Sequence, residues 1–473
     1  MAEAVVVGAG PNGLAAAITL ARAGWKVVLF EAAATVGGGM RTAALTEPGF
    51  AHDVCSAIHP LALASPAFAD LPLHDHGLEW SHPAAPLAHP LDGGRAAILE
   101  RSVADTARAL GDDGRAYARL FDPLVERGPA IVDATLSPLR VPRAPLTLAR
   151  FGVNAIRPAR ALARARFASD EARALLAGAA GHSMLSLDAP ATAGYGMLLM
   201  LLGHLVGWPM AAGGSQALAD ALAALLIASG GEIVTDHEVT SLRALPPADA
   251  TVLDVTPRQL LAIAGDDVPT RYASRLSRFR YGPGVCKVDW ALDGPIPWTS
   301  PDVARAATVH VGGTLDEVAA SEAAVVAGRH PERPFVLLVQ PSGFDPSRAP
   351  VGKHTAWAYC HVPSGSDVDQ TAAIEAQVER FAPGFRDQIR ACHTMTPAQM
   401  EGYNANYVGG DINGGAGDLR QLVTRPAVSA RPWRTPIPGV YLCSSSTPPG
   451  GGVHGMCGWH AAQTVLRDHR GQQ

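Results

Sequence analysis

The sequence predicts an α/β fold: a discontinuous Rossmann-type nucleotide domain joined to an α+β second domain. Three stretches carry this reading. Residues 4–31, "AVVVGAGPNGLAAAITLARAGWKVVLFE", run strand, glycine turn, helix, strand. Residues 207–242, "GWPMAAGGSQALADALAALLIASGGEIVTDHEVTSL", repeat a glycine turn before a helix and end in a short strand pair. Residues 439–468, "GVYLCSSSTPPGGGVHGMCGWHAAQTVLRD", do so once more. The chain thus leaves its nucleotide domain twice and comes back, which assigns 1–75, 205–275 and 431–473 to that domain and 76–204 and 276–430 to the other.

In the first stretch, Val5–Val7 and Val27–Phe30 have strand character, 14–23 is helix-forming, and Gly24 suits a helix C-cap. Gly8, Gly10 and Gly13, with Pro11 and Asn12 between them, have GxGxxG spacing. The first glycine permits the turn, the second a close approach to a pyrophosphate, and the third close helix–strand packing. The phosphates then sit at a helix N-terminus, where free N–H groups and the dipole favour anions. Glu31, followed by Ala32, closes the second strand and is placed to accept ribose hydroxyls. After it, "AAATVGGGMRT" supplies Gly37, Gly38, Gly39, Met40 and Arg41. Those glycines allow a second close approach, and Arg41 is placed to neutralise the pyrophosphate.

The second stretch predicts a helix with apolar residues at 218, 222, 225 and 226, a GG stop at 230 and 231, and Val239 beside the nucleotide. Only "RALPP" separates it from another apolar strand, "ADATVLDVTP" at 248–257. The third predicts a strand at Val440–Cys443, a Ser/Thr/Pro turn with Ser444 and Ser445, glycines at 450–452, and a helix over 453–467. A helix start reached through glycines offers unobstructed N–H donors.

Composition bounds the function. The 473 residues are 48% hydrophobic and 17% charged, enough for two domains with buried cores. A net charge of −5, with no basic segment interleaved with aromatics, gives no reason to expect nucleic acid as a partner. The six cysteines form no CxxC pair and no metal-ligand spacing; mostly reduced core thiols and no metal are expected. The N-terminus opens on a strand without a basic leader, and no apolar run approaches the roughly 18 residues of a membrane span. A cytoplasmic location is the expectation. From 134 to 169 there are seven arginines (140, 143, 150, 157, 160, 164, 166) and no acid. Such a segment suits peripheral contact with an anionic membrane, a solvated helix face, or a homo-oligomer contact. "MLLMLLGHLVGW" at 197–208 reads as a buried helix with His204 in the core.

"VVVGAGPNGLAAAITLARAG", "GGGMRT", "GFAHDVCSAIHPLALASP", "GGSQALADAL", "YGPGVCKVDWALDGPIPW", "GGDINGG" and "GVYLCSSSTPPGGGVHGMCGWHAA" together resemble the phytoene-desaturase-like flavoproteins. Within them the nearest likeness is to bacterial relatives of pyridine nucleotide-disulfide oxidoreductase domain-containing protein 2. The resemblance implies a flavin amine oxidase/phytoene desaturase-like architecture and an FAD-dependent oxidoreductase that desaturates, saturates or isomerises a lipophilic isoprenoid or polyene, with hydride passing to the flavin. It implies that the first loop holds the diphosphate and the last, through Ser445, Gly452, Val453 and His454, the flavin ring. Ser56, Ala57 and Ile58 would pass beside the ring. Ser444 stands where relatives have glycine. His59 and His454 are the candidates for a catalytic base. His59 also suits a turn cap before Pro60, and His454 a hydrogen-bonding wall. Asp411 and Asn413 either line the substrate cavity or serve turn chemistry. C–N oxidation of an amine, or a binding protein without turnover, are the alternative functions.

Overall fold

A computed structural model describes residues 2–138 and 144–471. Two sheets carry the architecture. Their strands in chain order are β1 (Glu3–Val7), β2 (Lys26–Phe30), β3 (Ala85–Leu91), β4 (Arg95–Leu99), β5 (Glu232–Val234), β6 (Ala250–Leu253), β7 (Gly284–Leu292), β8 (Ala306–Val311), β9 (Val336–Val339), β10 (His354–Val362), β11 (Ile389–Met395) and β12 (Val440–Leu442). The helices used below are α1 (Pro11–Arg22), α2 (Pro60–Ala64), α3 (Asp170–Gly181), α4 (Thr192–Leu205), α5 (Ser215–Ala228) and α6 (Met456–Arg470).

The first sheet has the order β12-β6-β1-β2-β5 and is wholly parallel. Strands covered on both faces are apolar almost throughout, as "AVVV" is. Ala4 and Val6 face a core shared with α1, α5 and α6, while Val5 and Val7 face a second core with Leu253, Leu260 and Leu442. All five strands end at one edge, and ligands of parallel sheets bind at that carboxyl edge.

The second sheet has the order β11-β7-β10-β9-β8-β3-β4, with β8 and β3 its parallel neighbours. Its register aligns two rows on one face: Thr308, Val339, Trp357 and Asp289, then His310, Leu337, Tyr359 and Lys287. Helix α3 lies close over this face because it presents glycines. A Cβ on Gly181 would stand 2.4 Å from a ring carbon of Phe335.

Local expectations shift in three places. The expected strand pair after the GG stop is a single strand, β5, followed by a 3₁₀ turn at Leu242–Ala244. The late strand is Val440–Leu442, one residue shorter than expected. The late helix starts at Met456, because Gly455 takes φ +64° and the glycine run remains loop up to it. All six cysteines are free. His204 is buried, bonded to the Tyr117 hydroxyl at 2.7 Å. Among the described residues no helix is long and apolar enough to cross a membrane, and no group of His, Cys, Asp and Glu forms a metal site.

Candidate functional site: a two-ended cofactor cradle

The edge of the parallel sheet opens into a cavity of about 1480 Å³. Single-ligand pockets run to roughly 300–1,000 Å³, so the space admits a dinucleotide and a second molecule.

At the nucleotide end, Gly8 takes φ +97° and donates its N–H to the Phe30 carbonyl at 2.7 Å. A Cβ on Gly13 would lie 1.8 Å from the Gly8 oxygen, so only glycine lets α1 start this close to β1. Gly8, Gly10, Pro11 and Asn12 line the cavity, whereas Gly13 works beneath it as packing. Gly38 packs against Gly10, at 3.1 Å from its Cα to the position of a Cβ, and Gly39 lines the wall beside it. Met40 differs from expectation. It is fully buried in the α1–α5 core and does not reach the cavity.

Glu31 accepts the Ala9 N–H at 2.7 Å through one oxygen, and the Ala33 N–H and Arg41 guanidinium, each at 3.0 Å, through the other. Arg41 also bonds the Thr35 carbonyl at 2.9 Å. Its charge is therefore committed to fixing Glu31, not free for a pyrophosphate, although both residues line the cavity with Ala32 and Val239.

A second acid appears here that sequence reasoning passed over. Asp254 follows Leu253, the register partner of Val7, and so stands beside Gly8. Its Oδ2 accepts the Gly13 N–H at 2.9 Å. Burial pushes its carboxyl up to about 7, with the Glu31 charge adding to the rise against that hydrogen bond. Within "ADATVLDVTP" it looks like a strand-end turn residue, and only the strand order reveals it.

The late loop forms the opposite end. The positions of Cβ atoms on Gly450, Gly451 and Gly452 fall 2.6 Å from Arg425 Nη1, 2.7 Å from the Asn413 carbonyl and 2.7 Å from Leu61. Side chains are excluded because the loop threads between neighbours. Asn12 Nδ2 donates to Ser445 Oγ at 3.3 Å, tying the two glycine loops together. The Ser444 hydroxyl is turned into its own loop, accepting from the Ser446 N–H at 3.3 Å. His454 is buried, and its Nδ1 accepts the Met456 N–H at 3.0 Å. The ring thus caps α6, and burial lowers its pKa to about 4.

Between the ends run Ser56, Ala57, Ile58 and His59, all cavity-lining. His59 precedes α2, the helix opened by Pro60, and its Nε2 meets Ser215 Oγ at 2.9 Å. Ser215 in turn donates to the Ser56 carbonyl, so the imidazole must donate to the serine oxygen. Burial lowers the His59 pKa to about 4. Behind it, Arg348 and Asp53 form a fully buried pair, and Asp53 accepts the Ser215 N–H at 2.8 Å. His59 and His454 are both neutral rings held by structural hydrogen bonds.

The lobe beyond is apolar, walled by Phe151, Leu198, Leu199, Leu337 and Tyr359. Trp357 and Tyr359 stack at 5.9 Å with 13° between their planes. A histidine group also lies here that sequence reasoning did not find. His182 Nε2 is 2.9 Å from His310 Nε2, and His89 bonds the Gly313 carbonyl at 2.7 Å. Gly178 of α3 makes room for both inner rings: a Cβ there would stand 2.6 Å from His310 Nδ1 and 2.8 Å from His89 Nδ1. Of the three, only His182 lines the cavity, and burial lowers its pKa to about 3. The carboxylates lining the cavity, Glu31, Glu238 and Asp254, all lie at the nucleotide end.

Of the two loop candidates, Asn413 lines the cavity, while Asp411 is spent on turn chemistry, accepting from the N–H groups of Gly282, Asn413 and Gly415. In the arginine-rich segment, Arg160 and Arg164 pair with Asp316. Arg140 and Arg143 lie outside the described residues.

Comparison with known proteins agrees with this geometry. Residues 6–71 match the NAD(P)-binding Rossmann-like domain. The chain is 29% identical to pyridine nucleotide-disulfide oxidoreductase domain-containing protein 2 of Mus musculus, with 98% of this chain and 93% of that protein covered. Among solved structures, an oxidoreductase from Methanosarcina mazei is similar at a TM-score of 0.65 and 15% identity, covering 98% of this chain and 100% of that one. Cyclohexylamine oxidase from Brevibacterium oxydans is similar at 0.63 and 16%, covering 99% of each. The chain therefore has the flavin amine oxidase-like fold of FAD enzymes, with a NAD(P)-binding Rossmann-like domain at its start and a two-ended cradle that fits FAD.

Proposed function

We propose that the protein is an FAD-dependent oxidoreductase acting on C–C bonds of a lipophilic substrate of isoprenoid or polyene type. The carrying observation is the polarity of the cavity: its carboxylates sit at the nucleotide end, and the lobe beyond is apolar and aromatic. An apolar lobe rewards buried hydrocarbon at about 25 cal/mol per Å² and offers a cationic amine no counter-charge.

Bound FAD supplies the hydride acceptor. The chain supplies placement and a site for the proton that leaves with the hydride in desaturation. Because the His59 ring is engaged with Ser215 and the His454 ring caps α6, that site is assigned to His182. His182 lines the lobe as a neutral imidazole and leans on His310. The exposed apolar side chains Ile156, Leu419, Val423 and Val428 line the cavity where it meets the surface. That rim supports substrate transfer from a lipid surface, with Arg150 alongside as an exposed cation.

Anaerobic mixing of the FAD-loaded protein with a polyene or isoprenoid tests the reading. Bleaching of the flavin by such a compound is expected, with His182→Gln slowing it by about 10²-fold or more. A second reading is C–N oxidation of an amine, favoured by the stacked Trp357 and Tyr359. Bleaching by amines and not by polyenes would replace the first reading with the second.

A further inference from the structure

A diphosphate brings two negative charges to the glycine loop, and one carboxylate already stands in that loop. Asp254 Oδ2 lies 2.9 Å from the position of a Gly10 Cβ and 3.3 Å from that of a Gly13 Cβ, and it accepts the Gly13 N–H at 2.9 Å. An anion-binding helix start thus has one of its donors already taken by an acid. The backbone that carries it is fixed on both sides: its N–H donates to the Val7 carbonyl, and its carbonyl accepts from Asn406 Nδ2.

Among the described residues, no cation offsets the carboxylate. The charged and titratable groups facing it are Glu31 at the end of β2, Cys443 just past β12, and Cys457 on α6. Burial raises both thiols, that of Cys457 to about 12, so they remain neutral. The nearby guanidinium, Arg41, is bound to Glu31 and the Thr35 carbonyl.

We propose that Asp254 must carry a proton for FAD to occupy the cradle, so that FAD and one proton bind together. The inference rests on FAD being the cofactor. As an acid, Asp254 removes the repulsion and places an O–H donor in the cradle; as a carboxylate, it opposes the diphosphate and competes for the Gly13 N–H. Its pKa of about 7 in the absence of ligand puts this switch near neutrality. Bound diphosphate raises that value further. Affinity therefore falls as pH rises above about 7, by up to tenfold per pH unit.

The test is titration of FAD-free protein with FAD from about pH 6 to about pH 9, by quenching of flavin fluorescence, together with calorimetry in two buffers of different ionisation heat. Wild type should lose affinity about tenfold per pH unit above neutrality and take up close to one proton on binding at about pH 8. Asp254→Asn keeps an acceptor for Gly13 and cannot ionise, so its affinity should be flat with pH and tighter than wild type at about pH 8. Proton uptake by wild type needs no variant and so stands independently of how Asn is accommodated. FAD binding to wild type with no proton uptake, or with a pH dependence shared by the Asn variant, overturns the inference while leaving the cofactor intact. Absence of FAD binding to wild type even at pH 6 overturns the cofactor reading itself, and the inference with it.

Discussion

Two helices begin at the cavity after glycine-rich loops, and they treat their first N–H groups differently. At α1, the Gly13 N–H is held by Asp254, a side chain just past the end of β6 and 241 residues away. At α6, the Met456 N–H is held by His454, two residues before it. The first end depends on the protonation of an acid, while the second is closed by its own loop. Glycine clusters at both places mark close passage of backbone; whether a helix end is free to bind an anion depends on what already holds its amides.

The comparison breaks first at the glycines beneath each end. A Cβ on Gly13 would lie 1.8 Å from the Gly8 oxygen, and one on Gly458 1.8 Å from the Asn12 oxygen. Both Gly13→Ala and Gly458→Ala press on backbone, so each should cost at least the upper part of the roughly 1–3 kcal/mol typical of overpacking. Gly13→Ala should also strip flavin from the protein, measured as flavin per chain after gel filtration. Retention of full flavin by Gly13→Ala would separate the loop from the cofactor.

The next effect belongs to Asp254 in protein without FAD. Its carboxyl is raised from 3.8 to about 7, so the folded state holds a proton that the unfolded chain has lost. That contribution to stability is present below about pH 4, declines as pH rises, and is gone once pH passes about 7. Asp254→Asn should therefore gain on wild type across this window by a few kcal/mol, since each tenfold difference in proton affinity between folded and unfolded chain is worth roughly 1.4 kcal/mol. Thermal melts of both proteins at about pH 5 and about pH 8 give the difference. A constant gap between them would remove the buried acid from the account.

The smallest effect lies at α6. His454→Ala removes the acceptor for the Met456 N–H and should cost about 1 kcal/mol, the usual worth of a cap, with His454→Asn recovering part of it. Turnover should follow stability and not collapse, whereas His182→Gln should spare stability and depress turnover. The reverse pattern would return the catalytic role to His454.

Local chemistry made the nucleotide half legible. GxGxxG, Glu31 at the end of the next strand and the glycines at 37–39 all fall within one short stretch of chain whose order strand, helix, strand fixes their spacing, so the spacing pointed to them. Met40 was misplaced because a residue between cavity-lining neighbours can still point into the core, as it does with α1 and α5. The start of α6 was set too early because apolar Val453 looks helical, while the left-handed Gly455 decides the boundary. Asp254 and the His182–His310–His89 group were invisible for a different reason. Asp254 acquires its meaning from β6 lying beside β1, and the histidines from β3 and β8 pairing beneath α3. Such long-range register leaves no trace in the spacing of residues along the chain.

The most direct test of the whole account is the visible spectrum of the purified protein before and after FAD is added at about pH 6, where Asp254 holds its proton. The cradle predicts a yellow protein that keeps its flavin through gel filtration and releases it on unfolding. A colourless protein that remains colourless with FAD at that pH would contradict it.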